Sequence, residues 1–204
     1  MWKKLQKQFK KWQGVFIIAP SVAATIVAGN AVGLFNLLEW SVRDQFFRLR
    51  PPEAVDKRIV IVTIDEPDIK YVNQWPMPDR VMAKLLDNIR SQQPRAIALD
   101  IYRDIPVEPG HEELVKIFNS TPNLIGIEKV SEVPIAPPPA LEKKEQIAAN
   151  DLLLDADGKI RRGLVILSQE NGTFQEGLGV KLALQYLEKE GIELEVVDAK
   201  NKIY

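Results

Sequence analysis

The stretch Arg58-Ile-Val-Ile-Val-Thr-Ile-Asp65 gives the strongest strand signal in the chain, because six β-branched residues stand in a row between an arginine and an aspartate. Such a run predicts a strand buried on both faces, which is typical of a parallel sheet. Residues 95–101, Arg-Ala-Ile-Ala-Leu-Asp-Ile, predict a second buried strand. Between them a loop is predicted over 66–78, followed by a helix whose apolar stripe consists of Val81, Met82, Leu85, Leu86 and Ile89. Strand, helix and strand within about 40 residues indicate a βαβ unit with parallel strands.

The rest of the chain continues this alternation of helix-like and strand-like segments. Its predicted elements are a helix over 111–119, a strand over 123–128, a proline-rich loop over 133–140, strand-like runs over 151–154 and 160–168, a helix over 174–190 and a strand over 192–197. Asp157-Gly158 between the strand-like runs predicts a tight hairpin. Residues 53–204 are therefore predicted to form a three-layer-like α/β domain with mostly parallel central strands and one hairpin. No closing element follows the last strand, so the domain is expected to be truncated.

The N-terminal region has the pattern of a membrane anchor. Residues 15–38 contain no charged side chain, and five lysines and no acid precede them. A helix of these 24 residues rises about 36 Å, enough for a hydrocarbon core of about 30 Å. The pattern predicts a basic cytoplasmic tail at 1–14, a transmembrane helix at 15–38, a juxtamembrane helix at 39–52 and an extracytoplasmic domain at 53–204. A cleaved secretory signal is the alternative, although its apolar run is about 7–15 residues.

One face of the predicted span carries small residues. Ser21, Thr25, Gly29 and Gly33 recur every four residues. Such a stripe lets two helices approach closely within a lipid membrane, so helix pairing and a homodimer are expected. The alternative is that glycine and other small residues are simply common in membrane spans.

The composition excludes several functional classes. The chain has no cysteine, one histidine and a formal net charge of −1. Disulfides, thiolate catalysis and cysteine-based zinc sites are excluded, and neither a histidine-based metal site nor Ser-His-Asp catalysis is expected. The charge predicts no nucleic-acid partner, and no cofactor or metal is predicted.

Acidic residues cluster where the predicted strands end. They are Asp65, Glu66, Asp68, Asp100 and Asp104. Ligands of open α/β folds bind outside the carboxyl ends of the strands, so these carboxylates are candidates for a cation or a basic ligand group. A divalent-metal-dependent hydrolase using Asp65 and Asp100 is the enzymatic alternative. The structural alternative is that these aspartates cap the next turn or pair with Arg80 or Arg103.

Other side chains complete the predicted ligand-binding set, which comprises Asp65, Glu66, Trp75, Arg80, Asp100, Tyr102 and Arg103. Trp75 could line a pocket, although a Trp-Pro in such a loop more commonly plugs a core edge. Asp155 and Asp157 resemble part of a calcium loop, but Ile166 stands where an acid is required, which favours a hairpin turn. His111 is expected to be a solvent-facing cap residue.

Six features occur in one order along the chain: the span, Asp44-x-x-x-Arg48, Arg58 to Glu66, Trp75-Pro-Met-Pro-Asp-Arg80, Arg95 to Asp100, and Asp155 to Arg162. This ordered set resembles the second CHASE family, the extracytoplasmic sensory domains associated with cyclases and histidine kinases. The resemblance runs from Trp40 to the end of the chain and looks closest to cyanobacterial cyclases. It implies the sensory input domain of a bacterial transmembrane receptor.

In that family the sensor is followed by further spans and by a cytoplasmic output. The resemblance implies an adenylate or guanylate cyclase, a histidine or serine/threonine kinase, or a diguanylate cyclase, controlled by an unknown small-molecule or protein signal. Two positions depart from the family pattern: Asp79 is inserted before Arg80, and Pro67-Asp68 stands where a serine is common. The ligand of this member is therefore expected to differ.

Overall fold

The structure, a computed structural model, describes the backbone of residues 2–168 and 173–192, and their side chains except those of residues 2–13 and residue 16. The chain divides into two compact units, Met1–Ile61 and Val62–Tyr204. The predicted strand over 192–197 lies outside the described residues, apart from Ile192, which is not in a strand.

The first unit contains two helices, α1 (Trp2–Ala31) and α2 (Asn36–Leu49), separated by a turn. The continuous helix predicted over 15–38 is therefore broken, and the helix predicted over 39–52 is the later part of α2. Among the described residues, no helix taken alone has the length and hydropathy of a membrane span, whereas Ile17–Ala31 and Asn36–Leu49 satisfy both as a pair bent by 77°.

Gly33 explains why α1 stops. Its φ is +77°, in the left-handed region that favours glycine. The amides of Gly33 and the following residue donate to the carbonyls of Asn30 and Gly29, each at 2.9 Å. This pair of bonds is a Schellman motif, which satisfies the last carbonyls of a helix. Gly33 therefore lies in the turn that follows α1, and the predicted small-residue stripe on α1 consists of Ser21, Thr25 and Gly29.

The β-branched run at residues 59–64 forms no strand and joins no sheet among the residues that the structure describes. Ile59, Val60 and Ile61 are 68%, 81% and 81% exposed, so the prediction of a strand buried on both faces is wrong. β-branched side chains favour an extended backbone, but a strand also needs a hydrogen-bonded neighbour. Ile64, at the end of the run, packs against the core of the second unit.

Residues predicted to be a loop form a short helix instead, α3 (Glu66–Val72). Asp65 is its N-cap: its Oδ1 accepts from the amide of Asp68 at 3.2 Å, and Oδ2 of Asp68 accepts from the amide of Asp65 at 3.0 Å. This capping box and Pro67 in the first turn start the helix. Asp65 therefore caps the next turn, which was the structural alternative to ligand binding.

The helix predicted after this segment is confirmed as α4 (Asp79–Ser91), and the short helix near His111 as α5 (His111–Ser120). The strand predicted over 95–101 is present but shorter, as β1 (Ile97–Ala98). Leu99 extends it in effect, because its amide donates to the carbonyl of Ile125 at 2.9 Å.

A parallel sheet forms the centre of the second unit. It consists of β1, β2 (Leu124–Glu128) and β3 (Ile147–Ala149), and the short helix α6 (Pro139–Glu142) lies between β2 and β3 in the chain. The strand order is β1-β2-β3, with both pairs parallel and Ile97 opposite Leu124. The parallel sheet and β2 were predicted, whereas α6 and β3 were not. The observed βαβ unit consists of β1, α5 and β2, whereas the predicted unit had α4 between its two strands.

The core lies between this sheet and the helices that cover it. Its buried members are Met82, Ala83, Leu86, Ile97, Leu99, Leu114, Phe118, Leu124 and Leu141. Each fully buried leucine or phenylalanine contributes about 1.5–3 kcal/mol relative to exposure. Gly126 lets α6 approach β2, since a Cβ there would lie 2.7 Å from Cδ1 of Leu141.

The last described elements are an antiparallel pair, β4 (Ile166–Ser168) with β5 (Phe174–Glu176), and the helix α7 (Leu178–Glu188). The helix predicted over 174–190 is thus correct except at its start, where three residues form a strand. Gly177 makes this change possible, because a Cβ there would lie 2.2 Å from the carbonyl oxygen of Leu164.

Candidate ligand-binding site

The carboxyl ends of β1, β2 and β3 meet at one edge of the sheet, as their parallel order requires. The polar residues that end or follow these strands are Asp100, Tyr102, Glu128, Lys129, Asn150 and Asp151. Oδ1 of Asp100 accepts a hydrogen bond from Nδ2 of Asn150 at 2.5 Å. Asp100 and Tyr102 were predicted at this edge. Asn150 and Asp151 were missed because the strand before them was not predicted.

Asp151 is buried, but its carboxylate is fully used by its neighbours. Oδ2 accepts from the amide of Val130 at 3.0 Å, and Oδ1 accepts from the amide of Ser131 at 2.7 Å and from its hydroxyl. Burial alone would raise the pKa of Asp151, yet these hydrogen bonds and the nearby Lys129 hold it below its ordinary value. The arrangement fixes the loop after β2 to the end of β3.

Two other groups at the edge have a pKa above their ordinary value. Burial raises the pKa of Tyr102, and the carboxylates of Asp151 and Asp100 add to the rise. Burial also raises the pKa of Glu128, with further contributions from Glu142 and Asp151. Oε1 of Glu128 has no hydrogen-bond partner within the described part of the chain.

The edge does not form a metal site. Within residues 2–168 and 173–192, no group of three or more His, Asp or Glu side chains is placed to hold a metal ion. Asp65 is used as a helix cap and Asp100 bonds to an amide. The geometry therefore lends no support to the hydrolase alternative.

A second polar cluster, the Asp79 cluster, consists of Asp79, Arg103 and His111. The side chains of Asp79 and Arg103 are 1% and 3% exposed. Nη1 of Arg103 donates to Oδ1 of Asp79 at 3.1 Å and to the carbonyl of Met77 at 2.7 Å. Nδ1 of His111 lies 2.8 Å from Oδ2 of Asp79. The expectation that His111 is a solvent-facing cap is corrected, since it bonds to a buried carboxylate.

The Asp79 cluster joins the start of α4 to the segment between β1 and α5. The amide of Asp79 donates to the carbonyl of Val107 at 2.7 Å, and the amide of Val107 donates back to Oδ2 of Asp79 at 3.2 Å. Gly110 lies against Arg80, where a Cβ would approach within 2.4 Å of the Cβ of Arg80. The sequence signal for this contact is weak, because Asp79 and Arg103 are 24 residues apart.

Arg103 is incompletely satisfied in this arrangement. Burial lowers its pKa, and Asp79 opposes that effect; a guanidinium stays protonated in a protein regardless. Nε of Arg103 has no hydrogen-bond partner among the residues that the structure describes. A buried donor left without a partner costs about 1–3 kcal/mol. An orphaned donor of this kind calls for an explanation.

The remaining predicted residues lie on the surface. Glu66 is exposed in the first turn of α3. Trp75 is 58% exposed, so it does not plug a core edge. Nε of Arg80 donates to Oε1 of Glu113 at 3.0 Å in an exposed pair, which contributes about 0–1 kcal/mol.

The Asp155 turn is structural. Its amide donates to the carbonyl of Lys159 at 2.9 Å, which confirms the predicted tight hairpin. Arg161 bonds to the carboxylates of Asp155 and Asp157 at 2.9 and 2.6 Å. The hydrogen bond from Arg161 lowers the pKa of Asp157 to about 2. An arginine therefore occupies the oxygens that calcium would need.

Comparison with known families gives a match over most of the chain. The CHASE2 domain matches residues 21–203. No curated protein and no solved structure matches the chain significantly. Since the matched region spans both units, the chain belongs to the CHASE2 domain family, a family of extracellular sensory domains of membrane proteins.

Proposed function

We propose that this chain is the extracytoplasmic sensory input module of a membrane-bound signalling protein. The output, an adenylate or guanylate cyclase or a protein kinase, is not contained in these residues. The observation that carries the proposal is the CHASE2 match over residues 21–203. The identity of the output rests on the ordered motifs and not on the geometry.

The surface of α1 supports anchoring in a membrane. Its side chains Ile17, Ile18, Ile26 and Val27 are all more than half exposed. A contiguous apolar surface of this kind suits lipid or another apolar helix. The five lysines in the first 14 residues favour a cytoplasmic N-terminus. We propose that α1 and α2 together form the anchor, and that Ser21, Thr25 and Gly29 contact a second copy.

Signalling requires that the signal bind two states of the sensor with different affinity. Residues 50–61 connect α2 to the second unit and contain neither helix nor strand. We propose that this segment transmits the change to the anchor. The hydrolase alternative is not proposed, because the described residues contain no group of three or more acidic or histidine side chains placed to hold a metal ion.

The absence of cysteine makes a clean topology experiment possible. Glu112→Cys places one thiol on the exposed side of α5, and Gln6→Cys places one in the N-terminal tail. A membrane-impermeant maleimide is added to spheroplasts that express each variant. We expect Glu112→Cys to be labelled at once and Gln6→Cys only after the membrane is permeabilised.

The unsubstituted chain is the control and should not be labelled. Labelling of Gln6→Cys in intact spheroplasts, with protection of Glu112→Cys, would reverse the topology and reject the proposal. The coding sequence downstream of Tyr204 gives a second test. The proposal requires further spans and an output domain there.

A further inference from the structure

A cavity of about 320 Å³ lies beside the Asp79 cluster. Its apolar lining comes from Leu114, Val115 and Phe118 on α5 and from Pro138 and Pro139 at the start of α6. Ligand pockets in proteins measure about 300–1,000 Å³ and combine an apolar lining with a few polar groups. The volume suits a small molecule with a compact apolar body.

The polar groups of the cavity favour an anion. Arg103, His111 and Asp79 contribute to its lining, and Lys143 on the α6 side adds a further cation. Two basic side chains and one carboxylate leave an excess of one positive charge when the imidazole is neutral. That excess matches a ligand with a single negative charge and not a doubly charged phosphate ester.

Arg103 also supplies an uncommitted donor. Its Nη1 is used by Asp79 and the Met77 carbonyl, whereas Nε has no partner among the described residues. A guanidinium presents a planar fork that binds a carboxylate through two parallel N–H groups. The Nε side of the fork is therefore the part of Arg103 with no acceptor yet, and because Nε is itself buried, a carboxylate in the cavity bonds to it only when neighbouring side chains move.

The geometry points to a binding site for a small monocarboxylate with an aliphatic or aromatic body, held by Arg103 and Lys143 against α5. This inference rests on the proposed sensory function and names the chemical class of the signal. A carboxylate that bonds to the Nε side shares the charge of the guanidinium with Asp79, and Asp79 holds the start of α4 to Val107. Binding at this place therefore changes the contacts between α4 and the segment before α5.

The test titrates benzoate and 3-methylbutanoate into the full chain in nanodiscs, followed by isothermal titration calorimetry. Benzamide and 3-methylbutanamide are the uncharged controls. We expect saturable binding of at least one acid and no saturation with its amide. Saturable binding of neither acid, or equal binding of an acid and its amide, overturns the inference.

Three variants locate the site without touching the buried pair. Val115→Phe replaces a lining side chain by a larger one, which narrows the cavity, and should abolish binding. Lys143→Gln removes the second cation and should weaken binding about tenfold, the effect of one lost charged hydrogen bond. Lys116→Gln removes a lysine from the exposed side of α5 and should leave the affinity unchanged. Binding that survives Val115→Phe, or that Lys116→Gln weakens as much as Lys143→Gln, contradicts the assignment.

This experiment fails or succeeds independently of the proposed function. Calorimetry measures binding to the chain alone, whereas the topology experiment and the downstream coding sequence test the sensory role. A chain that binds the acids but faces the cytoplasm would uphold the site and reject the sensor. A chain with the expected topology that binds neither acid would uphold the sensor and reject the site.

Discussion

Two buried carboxylates of the second unit lie in different surroundings. Asp151, at the sheet edge, accepts three hydrogen bonds from Val130 and Ser131, and these partners belong to the loop that it holds. Asp79 is shared between Arg103 and His111, and Nε of Arg103 is left without a partner in the described structure. A buried carboxylate whose oxygens all accept hydrogen bonds from one loop indicates a structural role. A buried donor without a partner beside a cavity indicates a place for a ligand.

The largest effect is expected from Asp79→Asn. This change leaves the buried guanidinium of Arg103 without its counterion, which should lower the free energy of unfolding by about 3–5 kcal/mol. Urea denaturation followed by circular dichroism measures the loss. Asp87→Asn on the exposed side of the same helix is the matched control and should cost no more than about 0.5 kcal/mol. Equal losses in the two variants would show that the Asp79–Arg103 pair is not a critical buried pair.

Asp151→Asn should have an intermediate effect on stability and none on carboxylate binding. The amide replaces one acceptor by a donor that faces backbone N–H groups, which costs about 1–3 kcal/mol. Urea denaturation and the benzoate titration are measured on the same sample. Weaker benzoate binding would place the ligand site at the sheet edge.

The pH dependence of stability provides a separate check on Asp151. Its pKa is lower in the folded chain than its ordinary value of 3.8, so the unfolded chain takes up the proton first. The stabilisation is therefore fully present above that value and is lost as the pH falls below it. The stability difference between the wild type and Asp151→Asn should shrink below pH 3.8. A difference that stays constant down to the acid transition would contradict the assigned hydrogen bonds.

The smallest effect is expected from Asp100→Ala. Its carboxylate is exposed and accepts one bond, from Asn150, so the loss should be about 0.5 kcal/mol. Benzoate affinity should not change. A change of tenfold or more would make the predicted edge, and not the Asp79 cluster, the ligand site.

Local sequence patterns predicted the helices α4 and α5 and the central strand β2 well. The apolar stripes of α4 and α5 and the continuous apolar run of β2 are each determined by burial against one core. The run at residues 59–64 shows the limit of such patterns. Its side chains favour an extended backbone, but sheet membership depends on a neighbouring strand that lies elsewhere in the sequence.

The candidate site was harder to predict than the fold. Asp100, Tyr102 and Arg103 were selected because they follow a strand, and this reasoning led to the sheet edge. Arg103 bonds to Asp79 and to the carbonyl of Met77, and Asp79 also bonds to His111, 32 residues further along the chain. No local sequence pattern predicts that Asp79, Arg103 and His111 come together. The capping box of Asp65 and Asp68, in contrast, is a local signal, and the sequence offered capping by these aspartates as the structural alternative.

The most direct test of the ligand site is to observe Nε–H of Arg103 by ¹⁵N–¹H NMR of the full chain in nanodiscs. We expect its resonance to shift on saturation with benzoate, to stay in place with benzamide, and not to respond to benzoate in Val115→Phe. A resonance that stays in place while benzoate saturates the wild-type chain would contradict the proposed ligand site, because the bound carboxylate would then lie away from Arg103.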